Sequence, residues 1–159
     1  MSDISIRKAT EADMPAVHAL IRELAEYEKE LDAVETSPET LLQDGFGDRP
    51  YFGCFVAEHP QDGIVGMMLY FDAYSTWKGR MIYLDDLVIT EKYRRQGIGN
   101  MLMQALAAHG HEQGVALIRW QVLDWNEPAI NMYKKIGAEI DSTWFNCTIR
   151  RDKMAEWSE

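Results

Sequence analysis

The chain has 159 residues, 47% of them apolar, and carries 16 basic against 26 acidic side chains for a formal charge of −10. That length suits one well-packed domain over residues 1–159 rather than two, and no apolar run approaches the roughly 20 residues that a membrane-spanning helix needs. Such an acidic balance repels phosphate backbones and anionic bilayers, so neither nucleic acid nor a membrane is expected as a partner, while a cationic small molecule would be drawn in.

The opening MSDISIRKAT lacks the basic-then-apolar order of a secretory signal, which makes the expected location cytoplasmic. A short alternating strand is predicted near Ile4 to Arg7. Thr10, with Asp13 three residues on, then offers a hydroxyl N-cap and an acid partner. Met14, Val17, Leu20, Ile21 and Leu24 recur at three and four residues and define one apolar helix face. Ser37-Pro38 supplies a second cap with proline at the first helical position, opening a short helix through Leu41 and Leu42 that DGFGDRP ends. From Tyr51 to Ile89 the pattern is strand-like, with YFGCFVAEH, IVGMMLYFDAY and RMIYLDDLVI separated by turns at PQDG and TWKGR, which predicts an antiparallel meander.

A helix follows from about Gly99 to Gln113, stopped by Gly114, and then a strand ALIRWQVL. Asn126 can cap a short helix that begins near Pro128 and ends at Gly137, and a last strand is expected over about Ser142 to Arg150. The order β-α-α-β-β-β-α-β-α-β is that of an α+β sheet with a meander ahead of one βαβ crossover. Cys54 and Cys147 lie in strand-like stretches and belong to no C-x-x-C pair, so they read as buried free thiols. His18, His59, His109 and His111 form no ligand pattern, and no metal is expected.

The stretch Tyr93-Arg-Arg-Gln-Gly-Ile-Gly99 joins an apolar strand to a helix. A helix start leaves its first amides unpartnered and carries partial positive charge, so a glycine turn feeding it can cradle phosphate oxygens, and Arg94 and Arg95 add forked donors. This is neither a G-x-G-x-x-G fingerprint nor a P-loop. Taken alone it reads equally as a glycine-rich helix start with solvated arginines.

In context, Arg94-Arg95-Gln96-Gly97-Ile98-Gly99 resembles the Q/R-x-x-G-x-G/A pyrophosphate loop of the GNAT superfamily of acetyl-CoA-dependent N-acetyltransferases. IRELAEYEKE, LLQDGFGDRPYF, YLDDLVI, EKYRRQGIG and LDWNEPAINMYKKIGA together resemble the spermidine/spermine (diamine) acetyltransferase family, in order and along nearly the whole chain. The resemblance implies the GNAT fold: a mixed, mostly antiparallel sheet with a splayed central strand pair, flanked by helices. It also implies direct attack of a primary amine on the acetyl-CoA thioester in a ternary complex, with a homodimer as the usual assembly.

Residue by residue, the resemblance makes Tyr133 the general acid near the CoA sulfur. Asp85 stands where close family members carry a glutamate that accepts the amine proton through water. Asp86 is then a charge that attracts substrate, because neighbouring strand side chains point to opposite faces unless a bulge intervenes. Leu87, Val88 and Ile89 lie on the splayed strand, where a backbone amide is the candidate oxyanion donor. With Arg94 to Gly99, Asn100, and the segment Asn126, Glu127, Pro128 and Ala129, they make up the implied CoA contacts. Tyr27, Glu28, Trp77, Arg119, Trp120 and Gln121 match acceptor-side positions, where aromatic faces and carboxylates suit an alkylammonium chain.

Two departures bear on the acceptor. Ser75 replaces the family's acid before the tryptophan, and the loop IGAEIDSTW is shorter, which removes an acidic pair ahead of Trp144. Fewer carboxylates weaken the hold on a second or third ammonium group, so an amino acid side-chain amine becomes as plausible as spermidine, while the family resemblance keeps an enzyme acting on a small polyamine or diamine as the leading expectation. The alternatives are the side-chain amine of an amino acid such as thialysine or a lysine-like compound, a protein lysine, or an acetyl-CoA sensor without turnover.

Overall fold

The computed structural model describes residues 3–158. The chain forms two compact units, one ending at Gln121 and one beginning at Val122.

The first unit holds β1 (Ser5–Lys8), α1 (Met14–Tyr27), α2 (Pro38–Phe46), β2 (Gly53–His59), β3 (Gly63–Ser75), β4 (Gly79–Ile89), α3 (Ile98–Gln113) and β5 (Leu117–Arg119). The strands form one sheet in the order β1-β2-β3-β4-β5. The first three pairings are antiparallel and the β4–β5 pairing is parallel. This is the expected meander followed by a crossover through α3.

Local chemistry places the helices. The Thr10 amide donates to Asp13 Oδ2 at 2.7 Å, the cap expected from that spacing, although residues 11–13 form a 3-10 turn and α1 begins only at Met14. The Asp13 carboxylate also receives Arg7 Nη1 at 2.7 Å and Nη2 at 3.0 Å, which ties α1 to β1. Ser37 caps α2 by accepting from the Thr40 amide at 3.1 Å, and the helix continues to Phe46, through part of the segment expected to end it.

The sheet is covered on both faces. On one, α3 contributes Ile98, Leu102 and Leu106 against Phe55, Tyr70, Ile82 and Leu84. On the other, Met14, Val17 and Leu20 of α1 and Leu41 of α2 pack on Cys54, Val56, Met67 and Val88. Each such side chain contributes about 1.5–3 kcal/mol of hydrophobic stabilisation before the entropy of ordering it is counted.

In the second unit Asn126 caps α4 (Glu127–Lys135), its Oδ1 accepting from the Ala129 amide at 3.4 Å, and Gly137 ends the turn at φ +88°. The predicted strand Ser142–Arg150 is absent, and the chain closes instead with α5 (Arg151–Trp157). Alternating apolar residues suit a strand, but a strand exists only where an edge supplies its hydrogen bonds. Here Asp141 instead draws the Thr143 amide at 2.9 Å and Trp144 Nε1 at 3.0 Å into a local turn. Trp144 is 78% and Phe145 93% exposed. The expectation for the cysteines also divides: Cys54 is buried and Cys147 is exposed. Among the described residues no helix is long and apolar enough to cross a membrane.

Candidate active site

The acidic centre of the first unit arises from a fault in strand alternation. Leu69 of β3 pairs with Asp86 and Tyr70 pairs with Leu84, so Asp85 is an extra residue on β4. Before this bulge Ile82 and Leu84 face the α3 core, and after it Leu87 and Ile89 do, while Val88 faces α1 and α2. Asp85 and Asp86 therefore both turn to the face away from α3. Strand alternation alone allows only one of them there unless a bulge intervenes, and one does.

Two like charges on one face raise each other's proton affinity. Burial, then the neighbouring charges of Asp85 and Glu28, push the Asp86 carboxyl up to about 7. Asp85 reaches solvent, yet the protein atoms crowded around it still push it upward. Glu28, one residue past the end of α1, is likewise raised by burial. The structure thus brings three of the predicted residues, Glu28, Asp85 and Asp86, into one electrostatic cluster.

Beside the aspartates, Phe71 and Tyr83 stack with ring centroids 5.2 Å apart. Burial raises the Tyr83 phenol, the Asp85 charge raises it further, and Arg119 pulls it back down. Tyr83 is in register with Arg119, the last residue of β5. There the parallel ladder stops, so the β5-facing edge of Leu84 to Ile89 has no strand partner among the described residues. This is the expected splay, and it leaves backbone donors and acceptors beside the carboxylates.

The loop into α3 is built by a second set of contacts. The side chain of Glu23 on α1 accepts from Thr90 Oγ1 at 2.9 Å and from the Glu91 amide at 3.0 Å. Arg94 Nε donates to the Ile89 carbonyl at 2.9 Å, its Nη2 reaches Glu23 at 3.4 Å, and its guanidinium lies 5.3 Å from the Tyr27 ring centre. Arg94 is therefore occupied in bracing the loop. Arg95 takes a left-handed φ of +62° and Gly97 one of +82°, turning the chain so that α3 starts at Ile98. The Met101 amide makes the first helical bond to the Gly97 carbonyl, which leaves the amides of Ile98, Gly99 and Asn100 without intrahelical acceptors. Nothing lies within 4 Å of the space above Gly97. Free amides, a positive helix end and an open approach fit a pyrophosphate group.

The other predicted residues lie on other elements. Trp77 is 86% exposed in the β3–β4 turn, where the Lys78 amide donates to Ser75 Oγ at 3.1 Å. Trp120 and Gln121 follow β5 outside any ladder. Asn126 to Ala129 begin α4, and Tyr133 is a buried residue of the same helix. A cavity of about 340 Å³ between α1 and the Thr90–Tyr93 turn includes none of the predicted residues. Among the described residues no group of three His, Cys, Asp or Glu is placed to hold a metal.

Three contributors carry no signal in the sequence: Glu23, Phe71 and Tyr83. Phe71 and Tyr83 look like ordinary strand aromatics, and Glu23 like a solvated helix acid. Only the 67- and 68-residue leaps of its hydrogen bonds give Glu23 a role.

Known proteins are similar to this chain in sequence and in fold. Residues 16–138 match the Acetyltransferase (GNAT) family. The chain is 45% identical over 146 residues to the thialysine N-epsilon-acetyltransferase of Bos taurus, covering 87% of this chain and 86% of that protein. It is 33% identical over 170 residues to the Homo sapiens spermidine/spermine N(1)-acetyltransferase-like protein 1, covering all of this chain and 24% of that protein. In fold it is similar to an integron cassette protein from the mobile metagenome of V. cholerae, with a TM-score of 0.78 and 20% identity, covering 100% of this chain and 99% of the other. A family match over residues 16–138, together with 45% identity across 87% of the chain to a named acetyltransferase, means that the chain belongs to the GNAT family of acetyl-CoA-dependent N-acetyltransferases.

Proposed function

We propose that the chain transfers the acetyl group of acetyl-CoA to the side-chain amine of a small amino acid, thialysine or a lysine-like compound, rather than to the polyamine that the sequence motifs put first. The observation that carries it is the β4 bulge, which sets Asp85 and Asp86 on one face within the field of Glu28. Such a cluster attracts an ammonium group and can take its proton. The 45% relative, named for thialysine, supports the amino acid acceptor. So does the loss of acids at Ser75 and in the shortened loop, because a polyamine would need carboxylates for its further charges.

Acetyl-CoA supplies the thioester carbonyl: the amine nitrogen bonds to it as the C–S bond breaks, the amine loses a proton and the sulfur gains one. Asp85 meets the amine, and the proton is held by the Asp85–Asp86 pair, with Asp86 at about 7 close to the value that suits a base at neutral pH. The unpaired edge from Leu87 to Ile89 receives the pantetheine arm, and a backbone amide at Leu87 or Val88 polarises the carbonyl. The amides of Ile98, Gly99 and Asn100, with Gln96, Gly97 and the free arginine Arg95, hold the pyrophosphate. Arg94 acts from behind by bracing that loop. Asn126, Glu127, Pro128 and Ala129 meet the CoA chain, and Tyr133 donates the proton that the sulfur takes. Tyr27, Trp77, Trp120 and Gln121 border the acceptor. The enzyme works as a cytoplasmic homodimer.

A polyamine acceptor is the second reading, favoured by the 33% relative named for spermidine and spermine. The test is thiol release from acetyl-CoA with thialysine, lysine, spermidine, spermine, putrescine and a lysine peptide, with mass spectrometry of the products. Thialysine or lysine should give the highest kcat/KM, and Tyr133→Phe should slow turnover at least 10-fold while CoA affinity stays within about twofold. A preference for spermidine restores the polyamine reading. CoA binding without turnover of any amine leaves a sensor.

A further inference from the structure

Arg119 is an exposed arginine with no ion-pair partner among the described residues, although the chain holds 26 acids. Arg7 has two, and Lys92 and Arg94 have one each. Its position is defined by register. Ile82 is opposite Ile118, and both belong to the α3-side core, so Tyr83 and Arg119, the next pair along, turn to the other face. That is the face of Asp85 and Asp86. The Tyr83 phenol feels the Asp85 carboxylate and the Arg119 guanidinium together, and so lies between a negative and a positive pole.

The spacing of the poles suits one class of molecule. Asp85 is two residues past Tyr83, about 7 Å along β4 at a rise near 3.3 Å per residue, and Arg119 is one strand over at about 4.8 Å. A lysine-like acceptor separates its carboxylate from its distal amine by about 7 Å, given bonds near 1.5 Å. The stacked Phe71 and Tyr83 rings lie along that span as a wall for the methylene or thioether chain. A diamine has no group for the positive pole, and its second ammonium would be repelled there.

We propose that Arg119 is the carboxylate receptor of the acceptor site. Its guanidinium holds the α-carboxylate of an amino acid whose distal amine is held at Asp85 and Asp86, and so selects amino acids over diamines. This rests on the amino acid reading of the function and assigns the residue that enforces it. A forked guanidinium suits a carboxylate, and a charge-assisted pair of this kind changes affinity about 10- to 100-fold.

The experiment compares thialysine with bis(2-aminoethyl) sulfide, its decarboxylated counterpart, in the full-length wild type, Arg119→Gln and Arg119→Lys at saturating acetyl-CoA. In the wild type thialysine is the better acceptor. Arg119→Gln is expected to lower the ratio of kcat/KM for thialysine over the diamine about 10- to 100-fold, mainly through KM, and Arg119→Lys to recover part of it. If the wild type prefers thialysine and Arg119→Gln keeps that preference, Arg119 is not the receptor although the amino acid reading stands. If the wild type prefers the diamine or turns over neither, the amino acid reading fails and the inference falls with it. Should Arg119→Gln fold poorly by thermal melting, the ratio for Arg119→Lys decides: a change below about twofold overturns the proposal.

Discussion

Leu84 and Leu87 of β4 both pack into the α3-side core, although regular alternation would put residues three apart on opposite faces. The bulge at Asp85 reconciles them: one unpaired residue resets the phase of the strand and keeps both leucines packed on that core. Its consequence is chemical, because the two residues between the leucines are both aspartates.

Asp86 should reveal itself through pH. A folded-state pKa near 7 against an ordinary 3.8 means the charged carboxylate is disfavoured in the fold. Its stabilising contribution is complete below pH ~4 and is lost as the pH rises to about 7. Asp86→Asn should therefore raise the melting temperature by about 3–6 °C at pH 8 and by clearly less at pH 5. The same variant should cut kcat/KM about 100-fold and erase the rise of kcat/KM through neutral pH. Calorimetry at the two pH values is the check, and an equal gain at both would remove the raised carboxyl from the account.

The loop proposed to hold the pyrophosphate separates two kinds of residue. Gly97 stands at φ +82° with open space above it, so Gly97→Ala adds strain of about 1 kcal/mol and a methyl group on the proposed approach of the pyrophosphate. CoA affinity should fall about 10-fold by titration calorimetry. Glu23→Gln touches no phosphate but weakens the hold on Thr90, Glu91 and Arg94. Its loss should be smaller, about threefold, given the net worth of such bonds. A Glu23→Gln effect as large as that of Gly97→Ala would mean that the loop depends on its bracing more than on its own shape.

The Arg7–Asp13 pair governs stability in acid. Hydrogen bonding to Arg7 holds the Asp13 carboxyl down at about 2, against its burial. A depressed carboxylate stabilises above its unfolded pKa of ~3.8 and loses that contribution as the pH falls through about 2. Asp13→Asn should cost about 2 kcal/mol at pH 7, since it leaves Arg7 without its principal partner, and much less at pH 2.5. Urea melts at both pH values measure this, and a pH-independent cost would point to packing in place of charge.

Much of the fold is legible in the amino-acid sequence, and the failures share one cause. Met14, Val17 and Leu20 on α1, the Ser37 cap, the three-strand meander and the Gly114 stop follow from periodicity and turn chemistry within a few residues. Ser142–Arg150 has the alternation of a strand and forms none, and Cys147 on it is exposed while Cys54 is buried, its thiol pushed up to about 12. Pairing belongs to two segments at once, and a single segment's pattern cannot report whether an edge awaits it. The roles of Glu23 and Arg94 are hidden for a similar reason: each is defined by a partner distant along the chain.

The amino-acid sequence alone carries the helices and strands of the first unit, the glycine turn into α3 and the adjacent aspartates, because caps, glycine turns and apolar periods act over three to seven residues. Only the tertiary structure decided that Asp85 and Asp86 share a face, that Arg119 joins them across the β4–β5 register and that the ladder opens beyond Tyr83. A bulge is a mismatch between two strands, and a register is a relation between them. Neither is encoded in one strand alone, so both come into being only when the chain closes on itself.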